Sequence, residues 1–374
     1  MTRVIVIGGG IVGLTTGLAL RRAGADVLVC ERAPEIRAAG ASLGLWRNAL
    51  AVFDSLGVGD GVRAIGKPSA MRFHDRTGAP IETPGSTAAD HEYLLAHRAK
   101  LNVLLADAVG AGNIRLDAEF VGYEEHHDGV AVHFADGRTE HADLLVGADG
   151  AFSAVRGLLV PGARAREHVG HHAWRAVLPP GGPEVERDVM VLGRNGSRGG
   201  YTRSYDGGVF WLLSQFGSPA LTGTAKQQAL ERARDLDDGG WNSSLAELIE
   251  ATPEELVLHN QIMVVPPLPH WTSRRVALVG DAAHAMSPHI TAGASLGVED
   301  AALLARYLTT HHDVPVALKA YEADRIPHYA HVAALSKVVE DSASPWEFAR
   351  SYAAFSHWMT NQEPVAERDL GVRP

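Results

Sequence analysis

The sequence predicts an α/β fold with a Rossmann-like domain, an inserted antiparallel-sheet domain and C-terminal helices. The chain opens with a β-branched strand, a glycine-rich turn and a helix, as in the first half of a parallel βαβ unit. Two later apolar strands also end in Gly-Asp or Asp-Gly pairs. Between them lie short strand-like pieces broken by Pro, Gly and Asp residues, which is typical of antiparallel hairpins.

Length, charge and cysteine content restrict which kinds of partner and compartment the protein can have. The 374 residues are enough for two packed units, and the formal net charge of −10 disfavours nucleic acid. No run approaches about 18 uninterrupted apolar residues, and the glycine-rich turn comes too early for a signal peptide. Cys30, the only cysteine, excludes an internal disulfide and suits a reducing compartment. We therefore expect a cytoplasmic protein that contacts no membrane.

Nineteen histidines could suggest a metal site. The doublets at positions 126–127, 171–172 and 311–312 lack the flanking spacing that metal-binding motifs use. We predict solvated loop or sheet positions for these doublets, and no metal.

The first motif is a strand over residues 3–7 followed by Gly8-x-Gly10-x-x-Gly13 and a helix. Gly8 permits a tight turn, Gly10 lets the backbone approach a pyrophosphate, and Gly13 lets helix and strand pack closely. A second apolar strand ends at Glu31, in the position of an acid that binds a ribose hydroxyl. The order of these elements predicts a dinucleotide site, and it suits either NAD or FAD.

Two further strand ends carry Gly and a carboxylate. One apolar run leads into Asp149-Gly150, with Ser153 and Arg156 spaced to lie near one face of a following helix. Another run leads into Gly280-Asp281. Ligands of open α/β sheets bind beyond the carboxyl ends of the strands, so we expect all three strand ends to converge on one ligand.

Together these motifs resemble the single-component, FAD-dependent aromatic monooxygenases, the p-hydroxybenzoate hydroxylase-like group. The similarity covers most of residues 1–160 and 265–340 and follows the family's order. It rests on Gly8-x-Gly10-x-x-Gly13, on Asp149-Gly150-x-x-Ser153-x-x-Arg156, on Gly280-Asp281-Ala282-Ala283-His284 with Pro288 four residues on, and on Arg98-x-x-Leu101-x-x-x-Leu105.

The resemblance implies a role for each matching residue in holding non-covalent FAD. The three glycines Gly8, Gly10 and Gly13 would cradle the pyrophosphate. Glu31 would hold the adenosine ribose, with Arg32 near the adenine, and Arg98 would contact the linker of the cofactor.

On the flavin side, the resemblance implies that Asp281 binds the ribityl chain or the pyrophosphate. Asp149 would support the pyrophosphate region and the passing NADH or NADPH. The backbone from Pro288 through Gly293 would approach the isoalloxazine. A helix beginning near Gly293 would place partial positive charge beside the flavin pyrimidine.

The sequence departs from the family at Thr291-Ala292-Gly293, where the family commonly has Gly-Gln-Gly. Thr291 is β-branched and does not easily adopt a positive φ. Either this position has ordinary dihedral angles, or the flavin sits slightly differently.

We assign the FAD-binding domain to residues 1–70, 93–165 and 265–310. The substrate domain takes residues 71–92 and 166–264, and a C-terminal helical region takes residues 311–374. In the resembled family such an antiparallel sheet forms the substrate domain, and helices over residues 225–258 would cover its back.

The clearest hairpin runs through residues 199–216. A three-residue turn at 206–208 would place Tyr201, Arg203 and Tyr205 on one face with Val209, Trp211 and Leu213, whereas a two-residue turn would change the neighbours. If that face covers the flavin, its residues line the substrate pocket; otherwise its aromatics serve the core. The pocket candidates are Arg47, Trp174, Tyr201, Arg203 and Trp211.

The resemblance implies an NAD(P)H-dependent monooxygenase that hydroxylates an aromatic or heteroaromatic small molecule with O₂ through a C4a-hydroperoxyflavin. The flavin carries this chemistry, so no catalytic residue is assigned. A flavin-dependent reductase or halogenase of the same fold and a non-catalytic FAD-binding protein are the alternatives. The halogenase motif Trp-x-Trp-x-Ile-Pro is absent from the sequence. The oligomeric state stays open, because the sequence is compatible with a monomer and with a homodimer.

Overall fold

The computed structural model describes residues 1–36, 42–83, 92–194, 196–216, 221–311 and 313–363. Its strands are β1 (Arg3–Ile7), β2 (Asp26–Cys30), β3 (Ser42–Leu45), β4 (Gly66–Ala70), β5 (Phe73–His74), β6 (Glu92–His97), β7 (Ile114–Arg115), β8 (Phe120–Glu125), β9 (Val130–Phe134), β10 (Thr139–Ala142), β11 (Leu144–Gly147), β12 (Arg166–Leu178), β13 (Val189–Leu192), β14 (Arg198–Arg203), β15 (Val209–Gln215), β16 (Leu258–Val264) and β17 (Val276–Leu278). Its α-helices are α1 (Ile11–Arg22), α2 (Arg47–Ser55), α3 (Gly59–Ala64), α4 (Arg98–Val109), α5 (Ala154–Leu159), α6 (Ala225–Ala233), α7 (Ser243–Ala251), α8 (Asp281–His284), α9 (Gly293–Thr310), α10 (Val314–Glu340) and α11 (Pro345–Thr360).

A parallel sheet in the order β17-β11-β1-β2-β7 forms the first layer. β1 is central because its β-branched residues are buried on both faces, and Ile5 pairs with Leu28 on one side and Leu145 on the other. Since all these strands are parallel, the ends of β1, β2, β11 and β17 lie at one edge of the sheet. The antiparallel strands β8, β9 and β10 precede β11.

A second sheet has the order β16-β12-β15-β14-β13-β5 and is antiparallel except for the pairing of β13 with β5. Its strands come from residues 73–74 and 166–264, within the two ranges predicted for the substrate domain; residues 84–91 of the first range lie outside the described residues. A smaller sheet has the order β3-β6-β4. In the sequence, β3 and β4 lie between β2 of the first sheet and β5 of the second, and β6 follows β5. The predicted α/β fold class is confirmed.

The hairpin of β14 and β15 pairs Arg203 with Val209 and Tyr201 with Trp211. Ser204 donates its backbone N–H to the carbonyl of Gly208 at 2.7 Å, so the turn residues are 205–207, one position earlier than predicted. A one-residue shift of a three-residue turn moves the pairing by two positions. The predicted residues therefore still share a face.

Helices α6 and α7 cover one face of the second sheet, and its other face meets the first domain and α11. On that second side Trp46, Phe73, Ile290, Tyr352 and Phe355 form one apolar cluster. Helices α10 and α11 lie within residues 311–374, the predicted C-terminal helical region, of which residues 312 and 364–374 lie outside the described residues. No described helix is long and apolar enough to cross a membrane.

Candidate functional site

The glycines of the first turn have different steric environments. A Cβ on Gly13 would lie 1.9 Å from the carbonyl oxygen of Gly8, and one on Gly8 would lie 2.4 Å from that of Ala148. Gly8 also has φ +111°. A Cβ on Gly10 would meet nothing within 4 Å, and Gly10 precedes α1 without a side-chain cap. The N-terminus of α1 is therefore open to a phosphate group.

Glu31 follows β2 at the mouth of this turn. Its carboxylate accepts backbone hydrogen bonds from Gly9 at 2.7 Å and from Ala33 at 2.9 Å. Arg32 is exposed beside it, and Arg98, the first residue of α4, is also exposed. Glu31 and the glycine-rich turn are thus joined by a hydrogen bond and lie together at the carboxyl edge of the parallel sheet.

Asp149 organises the second strand end. One carboxylate oxygen accepts from Ser153 Oγ at 2.5 Å, and the other accepts from the backbone N–H of Ala154 at 2.7 Å. Burial raises the pKa of Asp149 above its usual value despite these hydrogen bonds. Ser153 caps α5. Arg156 is buried and donates to the carbonyls of Ala151 and Ala282, so the second motif is joined to the third.

Asp300 anchors the third strand end from α9. Its Oδ2 accepts from the backbone N–H of Gly280 at 2.8 Å and lies 2.6 Å from His284 Nε2. Arg325 donates to its Oδ1 at 2.7 Å. Burial alone would raise the pKa of Asp300, but His284 and Arg325 hold it well below its usual range. Sequence reasoning missed Asp300, since its partners lie 16 to 25 positions away in the chain.

Asp281 and Gly293 lie side by side beyond this strand. Asp281 is exposed, and a Cβ on Gly293 would be 3.9 Å from its Oδ1. Helix α9 begins at Gly293, as predicted, and Ala292 provides no side-chain cap. Pro288 is exposed at the start of the preceding turn. The entrance to α9 therefore presents backbone next to a carboxylate.

Thr291 has φ 56° and ψ 25°, in the left-handed region. The alternative that this position has ordinary dihedral angles is wrong. Its methyl carbon packs against Gly44, where an added Cβ would lie 2.5 Å from Thr291 Cγ2. The tight packing of the turn imposes the conformation that the residue type disfavours.

The structure corrects three of the pocket candidates. Trp174, Tyr201 and Trp211 belong to the core between the second sheet and helices α6 and α7. Trp211 Nε1 donates to Thr252 Oγ1 at 2.9 Å, and Trp174 Nε1 donates to Gln228 Oε1 at 3.2 Å. Their face of the sheet therefore packs against helices α6 and α7, and these three side chains belong to the core.

The two arginine candidates are exposed. Arg203 donates from Nε to the carbonyl of Val185 at 2.7 Å on the helix-covered side, and Arg47 begins α2. The opposite face of the sheet carries Arg198, which pairs with Ser214 and lies against His289. Sequence reasoning missed Arg198 and His289, because no local motif joins them. The prediction that the doublet at 171–172 is solvated is wrong for His171, which is buried in the second sheet near His289.

Comparison with known proteins identifies the family. A family model described as FAD binding domain matches residues 1–336. The chain is 34% identical to the aurachin C monooxygenase/isomerase of Stigmatella aurantiaca, covering 86% of this chain and 85% of that protein. It is 32% identical to the 6-hydroxynicotinate 3-monooxygenase of Bordetella bronchiseptica, covering 89% and 90%. The chain belongs to the single-component FAD-dependent aromatic hydroxylases.

A solved member of this hydroxylase family has the same fold. Klebsiella pneumoniae HpxO complexed with FAD and uric acid superposes with a TM-score of 0.80 at 25% identity, over 95% of this chain and 92% of that one. The predicted family, FAD cofactor, NAD(P)H reductant and monooxygenase activity toward an aromatic or heteroaromatic ring are confirmed. The reductase, halogenase and non-catalytic alternatives find no support among these monooxygenases.

Proposed function

We propose that this hydroxylase acts on a small aromatic or nitrogen-heteroaromatic ring that already bears an oxygen substituent. The relatives support this class, because two of them are named for hydroxynicotinate and aminohydroxybenzoate and a third is complexed with uric acid. An oxygen substituent makes the ring electron-rich, and its deprotonated form is the better nucleophile.

The observation that carries the assignment of FAD is the convergence of three strand ends at one edge of the parallel sheet. The residues there fit FAD: Gly10 leaves open space before α1, Glu31 closes the turn, and Asp281 is exposed beside the uncapped start of α9. When bound there, FAD takes electrons from NAD(P)H and activates O₂ for transfer of one oxygen atom to the ring.

We assign the residues of this edge as follows. Gly8, Gly10 and Gly13 hold the pyrophosphate, and Glu31 binds the ribose of adenosine, with Arg32 near the adenine. Arg98 binds the linker between the adenosine half and the flavin half of FAD. These groups position the cofactor and take no part in proton transfer.

On the flavin side, Asp281 binds the ribityl chain and Asp149 holds the loop beside the pyrophosphate. The backbone from Pro288 to Gly293 lies along the flavin ring, and the start of α9 stabilises negative charge there. The second sheet and α11 exclude water from the opposite side.

We further propose a cytoplasmic enzyme, either monomeric or homodimeric, that binds neither nucleic acid nor membrane. The single buried Cys30 and the net charge of −10 support this. Size-exclusion chromatography with light scattering determines the oligomeric state.

Purified protein tests the function directly. We expect retained FAD, NAD(P)H oxidation that a substrate ring accelerates with O₂ uptake, and a product heavier by one oxygen atom. A colourless protein that binds no added FAD would overturn the cofactor assignment. Bound FAD with no oxygenated product from any hydroxylated ring would instead favour a flavin-dependent reductase or a non-catalytic role.

A further inference from the structure

Two arginines lie near the place where the second sheet meets the end of β6. Arg175 is in the middle of β12, between Leu212 of β15 and Leu258 of β16. Because successive residues of a strand point to opposite faces, Arg175 points away from the core that holds Trp174 and toward the first domain. Its side chain is partly exposed there. Arg98 begins α4, directly after β6.

Contacts between the sheets bring these two arginines into the same region. Leu95 of β6 and Phe210 of β15 belong to one apolar cluster. The ring of His97, the last residue of β6, lies 6.3 Å from that of Tyr205 in the turn after β14. The end of β6, and with it the start of α4, therefore lies against the second sheet.

The two arginines interact through their charges, and no carboxylate compensates them. Burial, and after it the positive charge of Arg98, lowers the pKa of Arg175, although a guanidinium stays charged at neutral pH. Within the described part of the chain neither arginine forms an ion pair with a carboxylate. Arg98 also lies at the uncapped start of α4, where the helix dipole disfavours a positive charge. The region thus gathers positive charge that attracts an anion.

Asn260 orients the Arg175 guanidinium without neutralising it. Arg175 donates from Nη2 to Asn260 Oδ1 at 2.9 Å. The amide is uncharged and accepts from one of the five N–H groups of the arginine, so the planar guanidinium keeps donors for a second partner. Two parallel N–H groups of an arginine match two oxygens of a phosphate group, so a phosphate is a suitable second partner.

The reductant of this family carries such an anion. NADH and NADPH each contain a diphosphate with two negative charges, as FAD does. The sequence contains a single Gly-x-Gly-x-x-Gly motif, at positions 8–13, and we assign this motif to FAD. The diphosphate of NAD(P)H therefore needs other donors, and a guanidinium with a second positive charge beside it suits a dianion.

We propose that Arg175 binds the diphosphate of NAD(P)H, with Arg98 as the adjacent positive charge. The reductant then lies between the first domain and the second sheet, and Asn260 is a positioning residue that holds the guanidinium. The inference rests on the proposed function, because the placement of FAD assigns Arg98 to the linker of FAD and leaves the reductant without a binding residue on the second sheet.

The test uses the full-length, FAD-loaded protein and two kinds of probe. ADP-ribose carries the diphosphate without nicotinamide or 2′-phosphate, and 1-benzyl-1,4-dihydronicotinamide donates hydride but has no phosphate. Calorimetry measures the affinity for ADP-ribose, and anaerobic flavin reduction measures the affinity for NADH, NADPH and the benzyl compound. Arg175→Gln should lower the affinity for ADP-ribose, and for the better of the two coenzymes, about 10-fold or more. Reduction by the benzyl compound should not change.

Further variants separate recognition from structure. Arg175→Lys keeps the charge without the planar group, so it should recover part of the lost affinity for ADP-ribose. Asn260→Ala frees the guanidinium and should lower this affinity about 3-fold. Arg166→Gln changes an exposed arginine of the same strand and is the matched control, which should leave binding unchanged. Added salt should weaken ADP-ribose binding more in the wild type than in Arg175→Gln.

Three results would overturn the proposal. The first is that ADP-ribose does not bind the wild type at millimolar concentration, or binds Arg175→Gln equally well. The second is a loss of affinity confined to NADPH, which would place the 2′-phosphate at Arg175. The third is that Arg175→Gln, with an unaltered melting temperature of the apoprotein, loses FAD, which would assign Arg175 to FAD.

The proposed function is checked separately in the same samples. An oxygenated ring formed with 1-benzyl-1,4-dihydronicotinamide as the reductant would show that the hydroxylase assignment stands even if Arg175 does not bind NAD(P)H. Weaker ADP-ribose binding in Arg175→Gln without any oxygenated product would show the reverse.

Discussion

Arg156 donates a hydrogen bond of 2.9 Å from Nη1 to the carbonyl oxygen of Ala282, 126 positions later in the chain. Its Nη2 donates to Ala151. Because Ala151 follows Asp149-Gly150 and Ala282 follows Gly280-Asp281, one guanidinium links two of the three strand ends. The edge to which we assign the cofactor is thus held together by a side chain that need not touch the cofactor.

Arg156→Met should loosen both strand ends at once. Two carbonyls lose their donor, and each unsatisfied buried group costs about 1–3 kcal/mol, so the free energy of unfolding should fall by about 2–6 kcal/mol. FAD affinity should fall with it. Urea unfolding and FAD titration check this, with the exposed Arg164→Met as control. Unchanged FAD affinity in Arg156→Met would show that the link is not needed for binding.

Asp281→Ala should sharply lower FAD retention with little effect on folding. The Asp281 carboxylate is exposed beside Gly293, so its loss removes the proposed ligand group and opens no cavity in the core. We expect FAD affinity to fall about 10-fold or more, as for removal of a charged hydrogen bond. The FAD-to-protein ratio after gel filtration and the melting temperature of the apoprotein measure the two effects. Full FAD occupancy would mean that Asp281 lies away from the cofactor.

Asp300→Asn should destabilise the protein and flatten its acid denaturation. Removing one member of a buried ion pair typically costs about 3–5 kcal/mol, and we expect the lower end of this range because Arg325 keeps Glu299 at 3.2 Å as a second partner. The pKa of Asp300 is depressed in the folded state. Its stabilising contribution is therefore present above the unfolded value of 3.8 and is lost as the pH falls below it.

Urea unfolding from pH 7 to below pH 3 checks this sign, because the contribution is lost as the pH falls from 3.8 through the depressed folded-state pKa. The wild type should lose more stability on acidification than Asp300→Asn. Parallel pH profiles for the two proteins would show that another carboxylate dominates acid unfolding.

The sequence predicts the strand ends and the glycine turn at the proposed cofactor edge, but it does not predict how the second sheet is packed. Gly8, Gly13 and Glu31 fall within one short βαβ unit, so local spacing determines their arrangement. The hairpin shows the limit: alternation along β14 predicts that Tyr201 and Arg203 share a face. It does not say which face meets helices α6 and α7, because that depends on elements far along the chain.

The cluster of Arg198 and His289 shows the same limit more strongly. These residues are 91 positions apart, and each is surrounded by unremarkable sequence. A lone arginine on a strand and a histidine after a proline carry no signal until the fold brings them to 2.5 Å. At Thr291 the sequence instead gives a signal that points the wrong way. A β-branched residue disfavours a positive φ, yet packing of the turn imposes one.

Trp211→Phe should lower stability without changing substrate binding. Trp211 is buried, and its indole N–H donates to Thr252 in the core under α7. Losing that hydrogen bond and part of the ring volume should cost about 1–4 kcal/mol. Thermal unfolding and the KM for the substrate check the two effects, with Tyr201→Phe as a milder variant. A raised KM with unaltered stability would restore Trp211 to the pocket.

Gly44→Ala should disturb the turn before α9, chiefly through its contact with Thr291. The new Cβ would lie 2.5 Å from Thr291 Cγ2 and 3.1 Å from Tyr93 Cδ2. Overpacking of this kind typically costs about 1–3 kcal/mol. Thr291→Ser removes the clashing methyl group, so the double variant Gly44→Ala/Thr291→Ser should recover most of the loss. A double-mutant cycle on the free energy of unfolding measures this coupling. If the two changes were simply additive, the Cβ at position 44 and the Thr291 methyl group would not be in the close contact that the structure places there.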